Sequence, residues 1–260
     1  MAGTPARLDD QAVERYSRQL LLGEIGERGQ LRLLGGRVVI IGCGGLGVAA
    51  ALYLGGAGVG HLTLVDPDRL ELDNLNRQVA YRTAELGQKK AELLARRVAE
   101  LNPNIEVRAV LERLEAPNLA STLGDADVVL ECSDDPVTKF EVNDFCAARG
   151  RSLVVAGAIG FSGQLVTVPP GAPCYRCLFG GAPAGVANSC REAGILGPVV
   201  GVVGAMQALE AVKLLSGLGD DLGGRLLDFD ALTARWREVR FPKDPGCPAH
   251  GGAGSAPGDN

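Results

Sequence analysis

The sequence predicts an α/β protein: Rossmann-like, with a mostly parallel sheet, helices on both faces and an antiparallel extension. Three observations carry that prediction. Short β-branched runs alternate with helical segments through residues 36–160, the pattern of a parallel sheet covered on both sides. A Gly-rich turn joins the first such run to the next helix. The second run ends on an acid, Asp66.

Val13, Tyr16, Leu20 and Leu21 recur at roughly helical spacing and predict a helical N-terminal segment. Arg37 to Ile41 is a β-branched run and reads as a buried strand. The Ala-rich stretch Val48 to Leu54 is a helix, and His61 to Val65 is the second strand. Gln88 to Leu101 is a charged amphipathic helix that stops at Asn102-Pro103. Strands follow at Ile105 to Val110, Asp127 to Leu130 and Leu153 to Val155, with a helix from Pro136 to Arg149. From about residue 161 the pattern changes. Gln164 to Val168, Arg225 to Phe229 and Arg235 to Val239 predict antiparallel strands, with a helix from about Val199 to Leu215 between them.

Composition narrows the function classes. The 260 residues are 46% hydrophobic and 22% charged, enough apolar side chain for a full core. A net charge of -5 argues against a nucleic-acid or anionic-membrane partner, which would need clustered Lys and Arg. No apolar run reaches the ~18 residues of a membrane span. Met1-Ala2-Gly3-Thr4-Pro5 lacks the layout of a signal peptide. A cytoplasmic protein is the expectation. Seven cysteines are an odd number in that reducing setting, so metal binding or catalysis is considered before disulfides.

Gly42, Gly44 and Gly47 form a G-x-G-x-x-G string between a strand and a helix. Glycines permit the tight turn and the close approach of a phosphate or ribose, and a helix N-terminus favours negative charge. Asp66 stands where a ribose-binding carboxylate is expected, although Asp66-Pro67-Asp68 is also turn chemistry. At this point the ligand is NAD or ATP. Arg77 and Lys90 lie downstream and lean toward ATP, because nucleotidyl transfer needs cations against phosphate charge; each alone also reads as a solvated surface charge. Asp134, with Asp135 beside it, ends a strand where ligands of open α/β sheets bind. The pair suits Mg²⁺ or a helix N-cap.

Cys174-Tyr175-Arg176-Cys177 is a C-x-x-C expected in a loop, and Cys247-Pro248-Ala249-His250 is a C-x-x-H. Cys174, Cys177, Cys247 and His250 together suit tetrahedral zinc with no open position, hence a structural site. A redox C-x-x-C is the rival reading.

These strings, together with Arg15-Tyr16-Ser17-Arg18-Gln19, Asn74-Leu75-Asn76-Arg77-Gln78, Gly87-Gln88-Lys89-Lys90 and Glu192 to Pro198, give a resemblance that runs from about residue 9 to 250. The chain resembles the bacterial adenylyltransferases that activate sulfur-carrier proteins of the thiamine and molybdenum-cofactor pathways, relatives of ubiquitin-activating enzymes. The resemblance implies ATP and magnesium at Gly44, Asp66, Lys90 and Asp134, with Gly42, Gly45, Gly47, Asp68, Asn74 and Gln78 around the nucleotide. It implies a phosphate contact at Arg77, zinc at the Cys-His set, and Arg18 supplied across a homodimer. The family usually has Cys where this chain has His250, and often Asn where it has Asp135. Cys190 falls on a cysteine that some members link covalently to the carrier; the alternative is a spectator thiol.

The implied reaction is ATP-dependent adenylation of the C-terminal glycine of a ubiquitin-like carrier ending in Gly-Gly, with release of pyrophosphate. The implied layout is one adenylation domain over 1–250. It divides into an N-terminal helical segment (9–35), a nucleotide-binding half (36–160) and a carrier-binding, zinc-holding half (161–250), followed by a disordered tail (251–260). With no sulfurtransferase segment expected after the zinc region, a separate sulfur donor is implied, a cysteine desulfurase or sulfurtransferase. The rivals are an NAD-dependent oxidoreductase, which leaves Arg77, Lys90 and the Cys-His set unexplained, a non-catalytic carrier-binding scaffold, and a relative that adenylates a small molecule or tRNA.

Overall fold

The computed structural model describes residues 7–182, 194–220 and 222–250. Five parallel strands come first: β1 (Arg37–Ile41), β2 (His61–Val65), β3 (Glu106–Val110), β4 (Val128–Glu131) and β5 (Ser152–Ile159). Three antiparallel strands extend them: β6 (Ser162–Val168), β7 (Arg225–Asp230) and β8 (Arg235–Arg240). Together they form one sheet in the order β3-β2-β1-β4-β5-β6-β7-β8. The chain runs outward from β1 to β3, then returns to the other side of β1 with β4. That reversal opens a crevice between the carboxyl ends of β1 and β4, where open α/β sheets place ligands.

The helices described are α1 (Asp10–Arg15), α2 (Ser17–Leu20), α3 (Gly26–Gly35), α4 (Gly45–Ala57), α5 (Lys90–Leu101), α6 (Ala116–Leu123), α7 (Pro136–Arg149), α8 (Tyr175–Phe179) and α9 (Gly197–Ser216). Successive residues of β1 point to opposite faces, as strand geometry requires. Val38 and Ile40 join a core shared with α3, α4, α5 and α9; Val39 and Ile41 join a second core with α6 and α7. Both faces are therefore covered, which is why β1 reads as an unbroken apolar run.

Helix α9 runs against α4 with small residues at the contact. A Cβ at Gly204 would lie 2.4 Å from the Leu46 carbonyl oxygen, and one at Gly45 would lie 2.5 Å from Val200. By length and composition α9 could cross a membrane, but half of its apolar window is buried inside the fold (50%). It is a core helix here.

Three details differ from the sequence reading. The N-terminal stripe breaks into α1, α2 and α3, with Tyr16 buried but Val13 and Leu21 exposed. The C-x-x-C opens a helix instead of lying in a loop: Cys174 is the N-cap of α8. Helix α6 was not anticipated; it is short and begins with a capping box on Glu115 and Asn118. The tail from Gly251 lies outside the described residues.

Candidate active site

The Gly-rich turn leaves β1 and becomes the first turn of α4, with Gly44 as N-cap. Gly42 needs to be glycine twice over. Its φ is +91°, and a Cβ there would sit 3.0 Å from the Cys132 and Ser133 backbone at the end of β4. Gly47 lies so close to Gly42 that an added Cβ would be 1.9 Å from the Gly42 carbonyl oxygen. The turn is thus folded tightly on itself and against β4. Helix α4 has no side-chain N-cap, so its first N–H groups face the crevice side without an intrahelical partner.

Asp66 follows β2 and is buried. One carboxylate oxygen accepts the Cys43 N–H at 2.7 Å, and the other accepts the Asp68 N–H at 2.8 Å. Burial raises its pKa, while those two N–H groups and Lys90 pull it back. The carboxylate therefore braces the Gly turn from below. Lys90 opens α5 and is buried to 8% exposure; its ammonium reaches Asp68 at 3.3 Å, and its N–H donates to the Asp68 carbonyl at 3.1 Å. A buried cation is thereby held beside the turn.

The loop between β2 and α5 supplies the remaining candidates. Asn74 is buried and closes a 3-10 turn by accepting the Glu71 N–H at 3.2 Å. Arg77 donates to the Asp73 carbonyl and to Asn76 Oδ1, so its guanidinium folds over its own loop. The Arg77 carbonyl oxygen would lie 3.2 Å from a Cβ on Gly45, which puts its backbone against the turn. Gln78 is 3% exposed, and its Nε2 would lie 3.7 Å from a Cβ on Gly44. Its Oε1 is buried with no hydrogen-bond partner. A buried orphan acceptor beside a Gly turn fits a site shaped for a ligand that brings its own donor.

Asp134 and Asp135 divide the two roles open to them. Asp135 caps α7, accepting the Val137 N–H at 3.0 Å and the Thr138 hydroxyl at 2.9 Å. Asp134 is exposed at the crevice mouth and makes no side-chain hydrogen bond among the described residues. An uncommitted carboxylate there fits a hard divalent cation beside polyphosphate oxygens. Arg18 is exposed on α2, and no hydrogen bond or ion pair among the described residues ties it to this crevice. Cys190 lies outside the described residues.

The Cys-His set comes together as its spacing suggests. The donor atoms of Cys174, Cys177, Cys247 and His250 all lie within 4.8 Å of one another. The Cys174 sulfur is 3.8 Å from that of Cys177 and 3.7 Å from that of Cys247. Those distances match the edge of a tetrahedron of thiolates around zinc, roughly 3.8 Å for a metal–sulfur distance of about 2.3 Å. His250 Nε2 is buried without a partner among the described residues, and burial with nearby Lys243 lowers its pKa, which favours the neutral imidazole that a metal would need. Buried Asn143 on α7 holds the group in place: its Nδ2 donates to the Cys174 sulfur at 3.5 Å, and its Oδ1 accepts the Tyr175 N–H at 2.9 Å. The C-terminal segment thus lies against α8.

Residues 16–249 match the ThiF family. The chain belongs to the ThiF family. It is similar to the sulfur carrier protein ThiS adenylyltransferase of Escherichia coli, 44% identical over 252 residues that cover 96% of this chain and 100% of that one. It is also similar to the molybdopterin-synthase adenylyltransferase of Escherichia coli, 40% identical with 93% and 98% covered. The adenylyltransferase and sulfurtransferase MOCS3 of Bos taurus is 44% identical, but this chain spans 55% of its length. Among solved structures, Escherichia coli MccB with ATP superposes with a TM-score of 0.80 at 24% identity, covering 91% of this chain and 74% of that one. That likeness speaks for the fold alone.

Three features around the crevice of this ThiF-family chain carry little or no signal in the sequence. Glu131, the last residue of β4, is fully buried and bonded to Lys139 and to the Ser133 hydroxyl and N–H. Lys139 also donates to the Ala156 carbonyl at 2.8 Å. Gln207 on α9 donates to the Glu131 and Val154 carbonyls and accepts from the Cys132 thiol. These contacts fix the turn that carries Asp134. A Glu closing the run Val128-Val129-Leu130 was the one available signal. The third feature is Tyr81, whose hydroxyl reaches the Gly turn.

Proposed function

We propose that this chain adenylates the C-terminal carboxylate of a ubiquitin-like sulfur-carrier protein ending in Gly-Gly, using ATP and releasing pyrophosphate. One observation carries the reading: Lys90, a buried cation, is held beside Asp66 and the Gly turn at the β1 end of the crevice, and Asp134, which follows β4, makes no side-chain hydrogen bond among the described residues. A polyphosphate needs that combination, and a nicotinamide dinucleotide does not. The 44% and 40% identities to carrier adenylyltransferases over nearly the whole chain support it.

In this reading Asp66 accepts the ribose hydroxyls, and the α4 N-terminus with Gly44 and Gly45 receives phosphate oxygens. Lys90 and Arg77 neutralise charge as the carrier carboxylate attacks the α-phosphorus and pyrophosphate leaves. Asn74 braces the loop that carries Arg77, and the orphan Oε1 of Gln78 accepts a donor from the nucleotide. Magnesium, when bound, would be held by Asp134 and would add charge neutralisation at the phosphates. Zinc would be held by Cys174, Cys177, Cys247 and His250, with no part in the chemistry. A carboxylate is a poor acceptor for sulfur because hydroxide leaves badly; the acyl-adenylate supplies AMP as the leaving group instead.

Arg18 is exposed and separate from its own crevice, so we assign it to the site of the second protomer in a homodimer. Sulfur comes from a separate donor protein, a cysteine desulfurase or sulfurtransferase, and Cys190 is the candidate for a covalent link to the carrier. A cytoplasmic setting goes with this chemistry. Titration with ATP-magnesium and with NAD, read by calorimetry, tests the cofactor choice. Saturable ATP binding without NAD binding supports the reading, and the reverse overturns it.

A further inference from the structure

Tyr81 is buried, 6% exposed, in the loop before α5, and no sequence pattern singled it out. Its hydroxyl donates to the Cys43 carbonyl at 2.8 Å and lies 3.3 Å from the Lys90 carbonyl. A phenol carries one proton, so the shorter contact takes it and the longer one shares it. The hydroxyl therefore stands where the Gly turn and the first turn of α5 meet. Burial raises its pKa strongly, which keeps it a neutral donor.

The consequence lies in the Cys43–Gly44 peptide. Its plane is rigid and trans, so the Cys43 carbonyl and the Gly44 N–H point to opposite sides. The Cys43 N–H is held at 2.7 Å by Asp66 and its carbonyl by Tyr81, so both ends of that residue are fixed. The Gly44 N–H then faces away from the buried hydroxyl. It has no backbone partner among the described residues. Glycine's freedom at 44 would let the peptide turn over if the carbonyl were released.

We propose that Tyr81 is a positioning residue: its hydroxyl holds the Cys43 carbonyl so that the Gly44 N–H is aimed at an ATP phosphate. The inference rests on the ATP reading above and adds a device to it. Only the phosphate part of the ligand should depend on it.

The test compares Kd values for ATP-magnesium and for adenosine in the full-length zinc-loaded protein, wild type against Tyr81→Phe. Tyr81→Phe keeps the ring and weakens ATP roughly tenfold, the loss of about one hydrogen bond, while adenosine binding stays at the wild-type value. Tyr16→Phe is the control for losing a buried tyrosine hydroxyl elsewhere, since that hydroxyl accepts from Asn102 at 2.9 Å; both affinities stay unchanged in it. Unchanged ATP binding in Tyr81→Phe, or an equal loss for ATP and adenosine, overturns the proposal. A wild-type protein that binds no ATP refutes the underlying reading instead.

Discussion

Replacing Lys139 with methionine removes the only cation bonded to Glu131 among the described residues. Glu131 is fully buried, 0% exposed, so its carboxylate would be left uncompensated in the interior. Breaking a buried pair from one side costs about 3–5 kcal/mol. For a chain of this size each kcal/mol moves Tm by about 2–4 °C, so Lys139→Met should melt roughly 6–20 °C lower. The pH dependence has a definite sign. Burial already raises Glu131 above the usual carboxylate range against the pull of Lys139. Without Lys139 the pKa rises further, and the folded state binds a proton that the unfolded state releases. Stability from that proton is present at low pH and is lost as pH rises through the folded pKa. The deficit of Lys139→Met relative to wild type is therefore smaller at pH 5 than at pH 8. The double variant Glu131→Gln/Lys139→Met carries no buried charge and recovers much of the loss. Thermal melts at both pH values measure this directly, with zinc content as a check on the fold. A Lys139→Met protein that melts within about 2 °C of wild type at both pH values would show that the pair is not an uncompensated burial problem.

Three further outcomes are expected. Asp134→Ala lowers carrier adenylation by about 100-fold or more and leaves zinc content unchanged; wild-type activity in that variant would remove the magnesium role. The purified protein carries close to one zinc per chain, and His250→Ala lowers both that content and Tm, as read by metal analysis and melting; a metal-free wild type would refute the cluster. Mixing Arg18→Ala with Lys90→Ala protomers restores activity that each lacks alone, because one hybrid crevice in each mixed dimer is complete. An inactive mixture that has exchanged subunits would place Arg18 outside the partner's site.

Legibility in the sequence followed the range of the interaction. The Gly turn, Asp66 and the strand ends were readable because each is a local pattern with a local cause: a run of β-branched residues, a turn that only glycine fits, an acid at a strand end. The Cys-His set was readable although Cys174 and Cys247 are 73 residues apart, since each knuckle carries its own spacing. Tyr81 was not readable, because one aromatic in a loop has no period and its partner is a backbone carbonyl 38 positions away. Glu131 and Lys139 lie eight apart on a strand and the helix after it, a spacing that matches neither element. The N-terminal stripe misled, because Val13 and Leu21 are apolar yet exposed. Asp134 and Asp135 were ambiguous until the capping bonds of Asp135 separated them.

ATP–pyrophosphate exchange reads carboxylate activation at the step that forms the acyl-adenylate. The purified chain should exchange labelled pyrophosphate into ATP only when a carrier ending in Gly-Gly from its own genome is present, and a carrier lacking the last glycine should not support exchange. No exchange with any such carrier, under conditions where ATP-magnesium binds, would contradict it.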